Sequence, residues 1–243
     1  MRKIAALFVL CSAVCVSRAA AGETVVWEGR TFETVNVKAS IVTLRGEQVL
    51  KVERDLGALP FDAARLEETV DDRHYLKLKG FEFTDGIFEV KVLARVQQPT
   101  PFPAAQGFIG VYFRAQADDS AWESIYLRPN AGRSDHQLVR NHTVQYFAYP
   151  GFKFAALRKE AGGLYETYAD IGLDEWITMR IHVAGQKAEL YLNEAKYPSF
   201  IVNRLKGTSR QGTIGLYVDI GTEGYFKDFK IIHSSHPAGA AAR

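Results

Sequence analysis

Apolar residues recur at every second position along most of this chain, and that period constrains the fold more than any other feature. Between Gly86 and Val96, residues Phe88, Val90, Val92, Ala94 and Val96 fall on one face, with Glu89, Lys91 and Arg95 opposite. Successive side chains of a strand point to opposite sides, so this segment reads as a strand with one dry and one wet face. Such strands pair antiparallel, because parallel sheets are covered on both sides. The alternation returns in Ile109, Val111, Phe113 and Ala115, in Ile177, Met179, Ile181 and Val183, and in Ile214, Leu216, Val218 and Ile220. Shorter strands are expected at 24–27, 32–37, 41–44, 49–52, 74–78 and 225–232. Gly185-Gln186 and Gly162-Gly163 read as hairpin turns, the second between strands at 152–158 and 164–169. Residues 97–106, with three prolines, read as a rim loop, and 56–68 as a loop with room for one helical turn. Many short strands with regular turn signals predict an all-β fold, a two-sheet antiparallel β-sandwich.

With 243 residues, 47% hydrophobic and 24% charged, the chain can bury one sandwich core. Arg2 and Lys3, an apolar run at 4–16 and then Ala19-Ala20-Ala21 follow the order of a secretory signal. Residues 1–21 are therefore expected to be removed, 22–233 to form a single domain, and 234–243 to trail as a flexible tail. The apolar run is too short to span a bilayer, so a secreted or periplasmic protein without membrane insertion is expected. Both cysteines, Cys11 and Cys15, would leave with the signal, and no disulfide would back up the core. Loss of Arg2, Lys3 and Arg18 turns the formal charge of +2 slightly negative, which offers nucleic acid no electrostatic attraction.

Candidate chemistry gathers between Phe108 and Tyr149. Alternation places Tyr112 and Arg114 opposite Val111 and Phe113, and Tyr126 and Arg128 opposite Ile125 and Leu127. The next loop carries Arg133, Asp135, His136, Gln137, Arg140 and Asn141, with Tyr146 just beyond. Sugar C–H faces pack on aromatic rings, and sugar hydroxyls accept hydrogen bonds from planar guanidinium groups. Tyr112, Arg114, Tyr126, Arg128, Arg133, Asp135, Gln137, Arg140, Asn141 and Tyr146 are thus the candidate ligand-binding residues. They are expected on an open, solvent-facing sheet surface, joined by Tyr217 and Asp219 if that strand lies in the same sheet. An ordinary wet sheet face would also carry Tyr and Arg. Glu123 shares the side of Ile125 and Leu127, which makes it a strand-end acid or a member of a buried ion pair.

Several chemistries lack their signatures. The chain has no Glu-x-Asp-x-Glu strand, no His-Glu-x-x-His and no Gly-x-Ser-x-Gly. No cofactor is expected. Calcium, if bound, would draw on the loop acids Asp71-Asp72 and Asp118-Asp119, which stand outside any patterned Asp/Asn loop.

WITMRIHVAGQKAELYLN and GTIGLYVDIGTEGYFKDFKI resemble the closing half of laminin-G-like and concanavalin A-like domains. GFIGVYFRAQADDSAWESIYLRP resembles the central part of bacterial exported relatives, among them 3-keto-disaccharide hydrolase-like domains. The resemblance implies a jelly roll whose concave face often binds glycans. Three functions fit it. The first expectation is a glycan-recognition domain without catalysis. The second is a glycan hydrolase or lyase drawing acid and base from Asp135, His136, Tyr126 or Glu166. The third is a structural or protein-interaction module.

Overall fold

The computed structural model describes residues 22–233; the expected export segment with Cys11 and Cys15, and the tail from 234, lie outside the described residues. The first strands are Thr24–Trp27 (β1), Arg30–Val35 (β2), Val37–Leu44 (β3), Glu47–Arg54 (β4), Tyr75–Leu78 (β5) and Gly86–Val96 (β6). The central ones are Ile109–Ala115 (β7), Trp122–Leu127 (β8), Val144–Tyr149 (β9) and Glu166–Thr167 (β10). Ile177–Ala184 (β11), Lys187–Leu192 (β12), Phe200–Val202 (β13), Thr213–Val218 (β14) and Thr222–His233 (β15) complete them. They form two antiparallel sheets, one in the order β1-β2-β5-β14-β7-β8-β9-β10 and the other β13-β12-β11-β6-β15-β4-β3. Between them lies one core, to which β6 gives Phe88, Val90 and Val92, β11 gives Met179 and Ile181, and β14 gives Ile214 and Leu216. These are the faces that the alternation predicts.

Three local features depart from the sequence-based expectation. The strand expected at 152–158 is replaced by a helix, Phe154–Ala161, so the Gly162-Gly163 pair ends a helix instead of turning a hairpin. Ala155, Ala156, Leu157, Arg158, Lys159 and Glu160 are strong helix formers, and only Leu157 is buried, so propensity outweighs the apparent alternation. Arg114 has φ +53, and Phe113 and Arg114 together oppose Ile214, a β-bulge that adds a residue to β7. The bulge turns Arg114 to the core side, between the sheets, instead of beside Tyr112. There it donates to Thr84 O at 3.0 Å, to Asp85 Oδ1 and Gly185 O at 2.8 Å, and to Glu123 Oε1 at 3.4 Å. Glu123 is thus the buried ion-pair member, and Tyr146, also turned inward, donates to its Oε2.

The third departure concerns the outer face of the eight-stranded sheet, which is roofed instead of open. The segments 55–74, 97–107, 129–143 and 150–163 fold across it. Three of them contain a short helix: Leu66–Thr69 (α1), Gln137–Arg140 (α2) and Phe154–Ala161 (α3). Tyr126 and Arg128 are 2% and 7% exposed. Among the described residues no helix is long and apolar enough to cross a membrane.

Candidate functional site

Beneath the roof the sheet carries a layer of aromatic rings. Tyr112 stacks on Trp122 and on Tyr217, both at 5.1 Å between centroids, and Tyr126 meets Tyr217 edge-on at 5.5 Å. Gly215, beside Tyr112 in the next strand, makes the layer possible, because a Cβ there would stand 2.5 Å from the Tyr75 ring. The hydroxyls find partners: Tyr112 donates to Asp72 O at 3.0 Å, Tyr75 to Asp119 Oδ1 and Tyr217 to Asp219 Oδ2. These hydroxyls are satisfied, whereas Trp122 Nε1 is buried without a partner, and the layer is packed core as much as the space between the sheets.

Strand direction decides where the polar residues collect. β8 and β14 both run antiparallel to β7, whereas β5 is antiparallel to β14 and β9 to β8. Residues just after β8 and β14, and just before β5 and β9, therefore come to one end of the sheet. They are Arg128, Asp219, Asp71 and His74, and His142. At this end the roof parts around a cleft of about 210 Å³, lined by Asp71, Tyr126, Arg128, His142, Arg158 and Asp219 among others.

The two carboxyls of the cleft are driven apart. Burial works against the charge of Asp219, yet His74 and Arg54 overcome it and hold its carboxyl well below the usual range. His74 Nε2 lies 3.1 Å and Arg54 Nη1 2.8 Å from Asp219 Oδ1, and Ile220 N donates to the same oxygen at 2.6 Å. Asp71 goes the other way. Burial and the neighbouring Asp219 charge push its pKa up, with only Phe154 N at 3.1 Å as a close donor and Tyr217 Oη at 3.4 Å. Asp71 also sits at φ +49, a left-handed backbone that a non-glycine residue keeps only where its surroundings impose it.

Arg128 and His142 complete the cleft. The Arg128 guanidinium is buried, and every acceptor it meets is uncharged: His142 O at 2.8 Å, Tyr126 Oη at 2.5 Å and Gln145 Oε1 at 2.5 Å. The Nε2 of Gln145, behind it, is buried without a partner. His142 places Nδ1 2.7 Å from Glu166 Oε2, and Glu166 is also gripped by Arg158. Burial and Arg158 lower the His142 pKa more than Glu166 raises it, so the imidazole is neutral near pH 7.

The structure brings Tyr126 and Arg128 into this cleft and sets Tyr112 in the ring layer beside it. Arg114 and Tyr146 belong to the ion-pair cluster around Glu123. The loop residues remain outside on the surface: Arg133 pairs with Asp170 and Glu175, Gln137 donates to Asn141, Arg140 lies over the Tyr168 ring, and Asp135 is exposed. Of the four acids considered for calcium, Asp71 turns to the cleft and Asp119 to Lys77 with Tyr75, while Asp72 accepts from Arg73 N and Asp118 from Ser120. Sequence reasoning missed His74, His142 and Arg158, and considered Asp71 only as a calcium acid. Only the position of His142 and His74 just before strands, at the end where Arg128 leaves one, could have signalled them.

Comparison with solved structures gives the carbohydrate-binding module CBM66 from Bacillus subtilis, 12% identical, covering 82% of this chain and 92% of that one, with a TM-score of 0.51. A Bacillus licheniformis beta-glucanase is also 12% identical, covering 88% and 92%, with a TM-score of 0.40. At these identities the first likeness speaks for a shared jelly-roll fold and no further. No curated protein sequence matches the chain. Over residues 26–232, however, the sequence matches the 3-keto-alpha-glucoside-1,2-lyase-like domain, and the chain belongs to that family.

Proposed function

We propose that the cleft binds the terminal, carbonyl-bearing sugar of a glycoside and cleaves it by 1,2-elimination. The observation that carries this reading is a buried guanidinium without a carboxylate partner, Arg128, in one small cleft with a carboxyl pushed toward its proton-bearing form, Asp71. Pairs of groups whose environments displace their pKa values mark acid–base assignments. An unpaired buried cation marks a place where negative charge is to develop. The family name supplies the substrate that fits: a ketone at C3 acidifies the hydrogen on C2.

In this mechanism neutral His142, its Nδ1 side held by Glu166, takes the C2 hydrogen. The electron pair left behind is held on the carbonyl oxygen by Arg128. Its collapse forms the C1–C2 double bond and breaks the bond from C1 to the leaving oxygen, which takes the proton of Asp71. No water is consumed and no oxidation state changes overall. The shifts of the two groups favour the chemistry. The lowered His142 pKa and the raised Asp71 pKa bring the base form of one and the acid form of the other into the same pH range.

Incubation with methyl 3-keto-α-D-glucopyranoside tests the reading. The expected products are methanol and an unsaturated keto sugar, with slower turnover when C2 carries deuterium. Arg128→Ala is expected to lower kcat by about 10²–10³, the scale for losing one oxyanion donor. Labelled oxygen entering at C1 during bond cleavage would overturn elimination in favour of hydrolysis. Saturable binding without product would return the domain to glycan recognition alone.

A further inference from the structure

The cleft is polar at its floor and apolar at its mouth. The floor residues Asp71, Tyr126, Arg128 and Asp219 are buried and come from the sheet or its immediate ends. The half-buried lining is largely hydrocarbon: Leu66, Phe102, Val139 and Phe154 come from the roof and Phe108 from just before β7. The polar groups near the mouth are few, and two of them are partly engaged. Arg158 binds Glu166 through two nitrogens and lies 5.3 Å from the Phe154 ring, and Gln106 donates to Ala104 O. At about 210 Å³ the enclosed space is smaller than the roughly 300–1,000 Å³ of sites that enclose a whole drug-sized ligand. One sugar ring fills it, and whatever that ring is attached to must lie among the mouth residues.

A second sugar there would bring several hydroxyls to a mostly hydrocarbon wall with few polar partners, and each desolvated hydroxyl lacking a hydrogen bond is costly. An aromatic or aliphatic group would instead cover Phe102 and Phe154 and remove apolar surface from water. We infer that the cleft selects glycosides whose aglycone is an apolar, preferably aromatic, group in place of a second sugar. The inference rests on the elimination reading for the sugar half and adds the class of leaving group.

Three probes compete in the test: the methyl and phenyl 3-keto-α-D-glucopyranosides, and the maltose analogue with the ketone on its non-reducing unit. The phenyl compound is expected to show kcat/KM about ten-fold or more above both others, carried by KM, the scale on which one apolar group discriminates. Phe102→Ala and Phe154→Ala are expected to remove most of that advantage while leaving the methyl compound within about two-fold, since both side chains sit at the mouth. Each variant is checked by its melting curve, and two positions are used so that one failed fold leaves the other informative. Equal kcat/KM for phenyl and methyl compounds, or preference for the maltose analogue, overturns the inference and leaves the elimination reading standing. Turnover of none of the three removes both.

Discussion

Asp71→Asn is expected to slow turnover by about 10²–10⁴, the range for losing a positioned general acid, while the folded protein stays at least as stable as wild type at pH 7. The pairing of these outcomes is diagnostic. Because burial and Asp219 raise the folded-state pKa of Asp71, its favourable contribution is full below the unfolded value of about 3.9 and is lost as pH rises through the folded value. At neutral pH wild type therefore bears the cost of a buried, poorly compensated carboxyl that Asn does not carry. Asn also tolerates the left-handed backbone at this position and keeps an acceptor for Phe154 N. Melting temperatures of both proteins between pH 4 and pH 8 check this, with the variant gaining on wild type as pH rises. A variant that loses ground as pH rises would mean that Asp71 is held ionised, and the general-acid role would go with it.

Arg54→Leu should destabilise the domain by about 3–5 kcal/mol at neutral pH, as breaking one side of a buried ion pair does. Arg54 and Asp219 side chains are 2% and 4% exposed, so water cannot replace the lost cation. The depressed Asp219 pKa gives the pH dependence. Its stabilisation is present above the unfolded value and disappears as pH falls through the folded one, so the gap between wild type and variant should narrow in acid. Arg54 also donates to Thr69 O at 2.8 Å and tethers the segment that leads to Asp71. Activity is expected to fall along with stability, unlike Asp71→Asn. Denaturant midpoints followed from pH 7 down to about pH 2, below the unfolded carboxyl value, measure the effect; a pH-independent difference over that range would show that the pair is not what Arg54 contributes.

The sheets were legible because alternation is a local property. Phe88, Val90 and Val92, or Ile214 and Leu216, disclose their side without reference to any neighbour. Glu123 likewise revealed itself as a core-side carboxylate. Arg114 did not, because a single left-handed residue moves it across the sheet, and nothing in FIGVYFRAQ marks that position as a bulge. Tyr126 and Arg128 were singled out but misread as surface, since a roof made of distant loops leaves no trace in the strand it covers. Asp71 was the least legible. Its role depends on Asp219, 148 residues away, and on being shut off from water by α3 and the 97–107 loop.

The roof over the aromatic layer also sets how a long molecule can approach. Tyr112, Trp122, Phe147 and Tyr217 form the kind of surface along which a polysaccharide could stretch, but they are sealed beneath folded chain. No polymer can lie lengthwise on that sheet; only the tip of one reaches the cleft. The interior units of a glycan chain therefore escape the domain whatever their number, and only a free end can be read.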